Sequence, residues 1–214
     1  MDKIFQNYIF DLDGTLINSC EEVLECFKKA YKQSGYPIDE TRLSDNLIGP
    51  PLKEIILNIS PELKDEITLS KIISNFRNIY DNNNDDKSEL YSDVLGKLNE
   101  LKKEGKRLFL ATLKPSKPTE RIIRDFKLNF FEDVYTIDKF QKLMTKREMI
   151  TDIIEKNKLK KEDTVMIGDA PSDVISAKEA GITGVGALWG YGTDKTNLIK
   201  NSDFSLKSIG DLKV

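Results

Sequence analysis

Two aspartates one residue apart, Asp11 and Asp13, follow an apolar run and precede Gly14 and Thr15. The run, Ile4 to Phe10, is typical of a buried strand. Residues i and i+2 of a strand share a face, so both carboxylates face the same space if the strand extends that far. Like charges about 4 Å apart repel by roughly 4 kcal/mol at an effective dielectric constant of about 20. The pattern indicates a site that needs a cation or a proton, although Asp and Gly are also ordinary turn residues.

The side chains available for chemistry are restricted. The chain has 214 residues and no histidine, which excludes Ser-His-Asp triads, phosphohistidine chemistry and histidine zinc sites. Its two cysteines, Cys20 and Cys26, form no Cys-x-x-Cys pattern, and we expect them to be packing residues in a reducing compartment. Carboxylates, lysines and hydroxyl groups remain.

Composition and charge point to a globular protein without a nucleic-acid partner. The 33 basic and 36 acidic residues nearly cancel, at a net charge of −3, and no basic stripe stands out. There is no signal-peptide pattern and no apolar run of about 18 residues, so we expect a cytoplasmic protein with no membrane partner.

From Asp93 onward, helical and strand patterns alternate, which indicates a parallel sheet with helices on both faces. The predicted strands after the opening one are 107–112, 134–137, 164–167, 182–188 and 204–206, and the predicted helices are 94–103, 119–126, 145–156 and 172–180.

Residues 17–86 differ, because they show helical periodicity without a strand signal. Helices are predicted to start at Ser19, where Glu22 completes capping-box spacing, at Leu52, and at Pro61. The sequence therefore predicts an α/β core domain formed by 1–16 and 87–214, with a helical domain inserted at 17–86.

Further reactive residues follow the predicted strands. Thr112 ends the second strand of the core, Lys146 begins the helix after the third, and Asp169 follows the fourth. Parallel sheets bind ligands beyond the carboxyl ends of their strands. Lys146 would add its charge to the positive end of a helix dipole, which suits a phosphate. Lys142 is a rival for this position, and the helix start favours Lys146.

These residues together resemble the four motifs of the haloacid dehalogenase (HAD) superfamily. The motifs are Asp11-Leu12-Asp13-Gly14-Thr15, Thr112, Lys146 and Gly168-Asp169-Ala170-Pro171-Ser172-Asp173. The resemblance implies a Rossmann-like parallel core, with 17–86 as a helical cap of the first type. Three segments are also similar to the phosphoglycolate phosphatase-like branch: Ile48-Gly49-Pro50-Pro51, Ala111-Thr112-Leu113-Lys114-Pro115 and Trp189-Gly190-Tyr191-Gly192.

The resemblance implies a phosphatase mechanism. Asp11 would attack phosphorus and form an aspartyl-phosphate, which splits one hard hydrolysis into two easier steps. Asp13 would protonate the leaving alcohol and then take a proton from the attacking water. Thr112 and Lys146 would hold the phosphoryl oxygens and oppose the developing negative charge.

The resemblance also implies a metal site. Mg²⁺ would be bound by the Asp11 carboxylate, the Asp13 carbonyl and Asp169. Asp173 would be a fourth ligand or a support for the others.

The substrate is predicted only as a class, a small phosphomonoester such as phosphoglycolate, a nucleotide or a sugar phosphate. Gly49 and Pro50 would contact it from the cap and Lys114 from the core, and apolar Leu113 could offer only its backbone N–H. Lys117 repeats the Lys-Pro pattern of Lys114, so two lysines compete for the family position. We expect a monomer or homodimer.

Other functions fit parts of the pattern. An acidic pair, a threonine and a lysine on a parallel sheet also describe a phospho-receiver signalling domain, although such domains are smaller. A catalytically silent HAD-fold binding module is a further alternative. Within the superfamily, Asp13 argues against a dehalogenase, and Thr15 favours a phosphatase over a sugar phosphomutase.

Overall fold

The structure is a computed structural model and describes residues 3–48, 51–83, 87–140 and 143–213. The chain forms two compact units, one of Met1–Asn18 with Leu90–Val214 and one of Ser19–Glu89. The second unit begins two residues later and ends three residues later than the predicted insertion at 17–86. Its action as a cap stays a prediction.

The first unit is built on a six-stranded sheet in the order β5-β4-β1-β6-β7-β8, in which all pairs are parallel. A separate two-stranded sheet consists of β2 and β3. The strands are β1 (Asn7–Phe10), β2 (Ile17–Asn18), β3 (Glu89–Leu90), β4 (Arg107–Ala111), β5 (Asp133–Tyr135), β6 (Thr164–Gly168), β7 (Thr183–Ala187) and β8 (Phe204–Leu206). Because β1 lies between β4 and β6, the strand order reverses around it, and such a reversal opens a crevice at the carboxyl ends.

Alternation of side chains along the strands divides the core of this unit in two. Tyr8 and Phe10 of β1 belong to one apolar cluster, and Ile9 belongs to the other. The first cluster includes residues of helices α4 (Val94–Lys103) and α5 (Ser116–Asp125). The second includes residues of α6 (Lys146–Asn157) and α7 (Pro171–Ala180). Helices therefore cover both faces, which confirms the predicted α/β fold.

The second unit is helical. It contains α1 (Cys20–Ser34), α2 (Leu52–Ile59) and α3 (Glu66–Asp81), with two short 3₁₀ turns between α1 and α2. Phe27 of α1, Ile56 of α2 and Phe76 of α3 share one buried cluster. Cys26 belongs to it too, and both cysteines are buried. A further helix, α8 (Lys195–Asn201), lies in the first unit.

Two local predictions are wrong, namely the capping box at Ser19 and the helix start at Pro61, whereas α1 does begin directly after Ser19. Ser19 makes no capping hydrogen bond through its side chain, and Glu22 instead accepts hydrogen bonds from Ser88 Oγ at 2.5 Å and Asn83 Nδ2 at 3.0 Å. The helix predicted to start at Pro61 starts at Glu66, because the Asp65 carboxylate caps it by accepting from two backbone N–H groups.

No helix within the described ranges combines the length and apolar character needed to cross a lipid bilayer.

Candidate active site

The loop after β1 holds Asp11 at the carboxyl edge of the sheet. The Asp11 N–H donates to Ile167 O at 2.9 Å, which extends the pairing with β6 one residue beyond the strand. Gly14 then adopts a left-handed φ of 76°, and its N–H donates to Ile17 O at 2.8 Å. A Cβ at Gly14 would overlap the Asp169 carboxylate. Glycine therefore allows both the turn and the close approach of Asp169.

Lys146 lies between two of the predicted site carboxylates. Its Nζ donates to Asp11 Oδ1 at 2.6 Å and to Ala111 O at 2.8 Å, and lies 3.0 Å from Asp173 Oδ1. The side chain is only 4% exposed. Thr145 and Glu148 form the predicted capping box, which fixes the start of α6 at Lys146. The structure thus brings Lys146, predicted to bind the phosphoryl group, into direct contact with Asp11.

Two more buried carboxylates follow β6, that of Asp169 in the loop and that of Asp173 in the first turn of α7. Asp169 is 3% exposed and Asp173 is 1% exposed. Asp173 Oδ2 accepts from the Ala170 N–H at 3.1 Å, which ties this carboxylate to the start of α7. One oxygen of Asp173 therefore accepts from the backbone and the other contacts Lys146. This arrangement fits a carboxylate that supports the metal ligands as well as one that binds the metal directly.

The three carboxylates converge. Asp11, Asp169 and Asp173 each offer one ligand atom, and these atoms lie within 4.8 Å of one another. Fully ionised, the three groups and the Lys146 ammonium carry a charge of −2. Oxygen donors and a double negative charge suit a hard divalent cation such as Mg²⁺. The residues present therefore fit the cation that the resemblance implies.

Burial and neighbouring charges shift the pKa values of the groups in this cluster. Burial raises the pKa of the Asp11 carboxyl to about 7, although the Lys146 ammonium opposes the shift. Burial also raises the pKa of Asp169 to about 8, with further contributions from the charges of Asp173 and Asp11. Burial alone would lower the pKa of Lys146, but the charges of Asp11 and Asp173 outweigh it and raise that pKa. A cation would therefore compete with protons for Asp11 and Asp169.

Asp13 has a different partner. Lys114 Nζ donates to its two carboxylate oxygens at 2.9 and 3.1 Å. The Lys114 side chain is 4% exposed, whereas that of Asp13 is 24% exposed. Thr112 shapes the intervening turn, because its N–H donates to Tyr135 O at 2.9 Å and its Oγ1 accepts from the Lys114 N–H at 3.2 Å. Lys114, one of the two competing lysines, contacts Asp13 directly.

The remaining predicted residues are less informative. Leu113 is 42% exposed at the carboxyl edge of the sheet. Gly49 and Pro50, predicted to bind substrate, and Lys142, the rival of Lys146, lie outside the described residues. Their roles stay predictions.

The segment after β7 also contacts the site, although the sequence predicts none of its residues as site residues. The Gly192 N–H donates to Asp169 Oδ2 at 2.7 Å, and Lys195 Nζ donates to Gly190 O at 2.6 Å. Trp189 Nε1 donates to Thr15 O at 2.9 Å and so contacts the loop after β1. Two glycines just beyond a predicted strand were the available signal, since glycine often marks a close backbone approach.

A family model described as haloacid dehalogenase-like hydrolase matches residues 8–187. The chain belongs to this family. It is 31% identical to a phosphoglycolate phosphatase of Vibrio cholerae, over 95% of this chain and 93% of the relative. It is 28% identical to the pyrophosphatase PpaX of Bacillus cereus, over 95% of this chain and 93% of that protein. A crystal structure of a predicted phosphatase from Clostridium acetobutylicum matches with a TM-score of 0.82 and 28% identity, over 98% of this chain and 97% of that one.

These matches confirm the predicted HAD membership and the likeness to its phosphoglycolate phosphatase-like branch. The family model spans the first strand, the helical unit and the strands through β7, so the match is not confined to one motif. A receiver domain is not favoured, because the relatives match over nearly their whole length.

Proposed function

We propose that this HAD-superfamily phosphatase uses Mg²⁺ and an aspartyl-phosphate intermediate to hydrolyse a small phosphorylated metabolite. Family membership and the names of the relatives support the assignment to the phosphatases. The observation that carries the mechanism is the buried convergence of Asp11, Asp169 and Asp173 at the carboxyl edge of the sheet, where Lys146 contacts the first and the third.

Asp11 is the proposed nucleophile. A carboxylate oxygen attacks phosphorus, and the bond between phosphorus and the leaving oxygen breaks. Lys146 holds the Asp11 carboxylate in place at 2.6 Å and is itself fixed by Ala111 O and Asp173. Because it donates to three acceptors, this ammonium orients the nucleophile without needing to move.

Asp13 is the proposed proton carrier. It gives its proton to the leaving oxygen in the first step and takes one from the attacking water in the second. That water breaks the acyl-phosphate bond, which releases inorganic phosphate and restores the Asp11 carboxylate. Asp13 suits this role because its side chain is more exposed to solvent than that of Asp11.

Asp11 and Asp169 would hold the cation, with Asp173 as a third ligand or a support. When bound, Mg²⁺ would supply positive charge that reduces repulsion between the Asp11 carboxylate and the anionic phosphoryl group. Lys146 adds positive charge on the same side, and we assign Thr112, which is 1% exposed at the end of β4, to a phosphoryl oxygen.

Lys114 favours a leaving group that carries its own negative charge. Its ammonium contacts Asp13, the group that protonates the leaving oxygen, so it lies on the leaving-group side of the reaction. The carboxylate of phosphoglycolate or the second phosphate of pyrophosphate would meet that ammonium, and relatives are named for activity on each. A neutral sugar alcohol has no negative charge to pair with the Lys114 ammonium. Gly49 and Pro50 remain proposed contacts from the cap.

A phosphatase screen tests this proposal. Phosphate release would be measured for phosphoglycolate, pyrophosphate, nucleoside monophosphates and sugar phosphates, with Mg²⁺ and with chelator. Wild type should prefer the first two and lose activity with chelator. Asp11→Asn should lose activity by at least about 10³-fold, since the nucleophile is absent. Lys178→Met, which changes an exposed lysine of α7, is the matched control and should stay active.

Activity that survives chelation or the Asp11→Asn substitution overturns the mechanism. Equal rates on neutral and anionic leaving groups overturn the role of Lys114 alone. Stable phospho-Asp11 after one slow turnover would instead describe a receiver.

We also propose a cytoplasmic monomer or homodimer. The two cysteines are buried as thiols, which suits a reducing compartment. Sedimentation velocity distinguishes the oligomeric states, and fractionation of cells tests the compartment.

A further inference from the structure

The segment between β7 and α8 contacts the site from a side that the sequence did not indicate. Its Gly192 N–H donates to Asp169 Oδ2 at 2.7 Å. Lys195, the first residue of α8, donates from Nζ to Gly190 O at 2.6 Å. The hydrogen bond from Lys195 to Gly190 closes a short loop, and this loop contains Gly192, the residue that donates to Asp169.

The packing leaves Gly190 little freedom. A Cβ at this position would overlap both the Gly14 carbonyl oxygen and the Asp169 side chain. The backbone at Gly190 therefore lies directly against a proposed ligand and against the loop after β1. Displacement of Gly190 would displace Asp169 with it, because close-packed groups cannot shift independently.

We propose that Lys195 is a positioning residue of the cation site. By holding Gly190 O, it keeps the Gly192 N–H on Asp169 Oδ2, and it would thereby hold the Asp169 carboxylate in place for a cation. Groups that hydrogen-bond a metal-ligating carboxylate typically change metal affinity by about 10–100-fold when mutated. The inference rests on the proposed Mg²⁺ site and adds a residue to it.

Charge and positioning make opposite predictions for this lysine. An ammonium close to a cation site repels the cation, so removing it should tighten Mg²⁺ binding if charge alone matters. If Lys195 positions Asp169, its removal should weaken Mg²⁺ binding. The sign of the change therefore separates the two roles.

Isothermal titration of metal-free protein with Mg²⁺ tests the proposal without reference to activity. We expect Lys195→Met to weaken binding by about 10-fold. Lys195→Arg, which keeps a donor at the end of the side chain, should restore affinity to within about 3-fold of wild type. Lys200→Met removes an exposed lysine from the same helix, and it should bind Mg²⁺ like wild type.

A thermal melt of each metal-free variant identifies any that fails to fold, in which case Lys195→Gln replaces Lys195→Met. Unchanged or tighter binding by a folded Lys195→Met or Lys195→Gln variant overturns the positioning role and leaves the proposed function intact. Absence of Mg²⁺ binding by wild type overturns both.

Discussion

Asp13 accepts two hydrogen bonds from the ammonium of Lys114, at 2.9 and 3.1 Å. Asp11, two residues earlier, contacts a different ammonium, that of Lys146. The two carboxylates are therefore distinguished by their partners as well as by their exposure. One is fixed among buried charges and the other lies closer to solvent, which suits a nucleophile and a proton carrier respectively.

Substitution of Asp13 should affect substrates according to their leaving groups. Asp13→Asn cannot protonate a leaving oxygen, so we expect kcat on an alkyl phosphate to fall by about 10²–10⁴-fold. An aryl phosphate such as p-nitrophenyl phosphate, whose leaving group needs no proton, should be affected far less in its first step. Burst kinetics with both substrates would measure that step. An equal loss on both would contradict the assignment of Asp13 as the acid.

Removal of Lys146 should cost both activity and stability. Lys146→Met leaves Asp11 and Asp173 buried without their counterion, and breaking a buried pair in this way costs about 3–5 kcal/mol. We expect this loss in urea unfolding of metal-free protein at pH 8, and a smaller loss at pH 5, where the Asp11 carboxyl, whose pKa is raised to about 7, holds a proton. Activity should fall by about 10²–10³-fold. Lys178→Met is the control, and stability equal to wild type at pH 8 would refute the counterion role.

Stability of the metal-free protein should fall as pH rises. The pKa values of Asp11 and Asp169 are raised from 3.8 to about 7 and about 8, so between about pH 4 and pH 8 the folded state binds more protons than the unfolded state. Stability therefore decreases with pH across this window. Thermal melts in chelator at a series of pH values would measure the decrease.

Mg²⁺ should reverse that loss. At about 100 times its dissociation constant a ligand adds about 2.7 kcal/mol, or about 5–10 °C for a chain of this size. The increase in melting temperature should be large at pH 8 and small at pH 5, because protons compete with the cation for Asp11 and Asp169. Sodium chloride of matched ionic strength is the control. A shift that does not depend on pH would count against these ligands.

Gly190→Ala and Gly96→Ala form a matched pair. A Cβ at Gly190 would overlap Gly14 and Asp169, so we expect a loss of about 1–3 kcal/mol from overpacking. Gly96 lies inside α4 with nothing within 4 Å of an added Cβ, so alanine should add about 0.5–1 kcal/mol. Urea unfolding measures both. A Gly190→Ala variant as stable as wild type would mean that the segment adjusts freely.

Local interactions explain what could be predicted from the sequence. The alternation of strands and helices predicts the parallel sheet, because the hydrophobic periodicity of each segment follows from which of its own residues are buried. The capping box at Thr145 was predicted correctly because both partners lie within one turn. At Ser19 the same pattern misled, because Glu22 is held by Ser88, which is distant in sequence. The α3 helix starts at Glu66 rather than at Pro61, because the Asp65 side chain caps it.

The sequence by itself determined the α/β fold, the family and the set of reactive residues at the carboxyl edge of the sheet. Only the tertiary structure decided which groups meet: Lys114 with Asp13, Lys146 with both Asp11 and Asp173, and the Gly192 N–H with Asp169. The physical reason is that pairing of charges depends on distances across the sheet and on burial, which raises pKa values by removing water. Neither quantity is encoded in the spacing of residues along a chain.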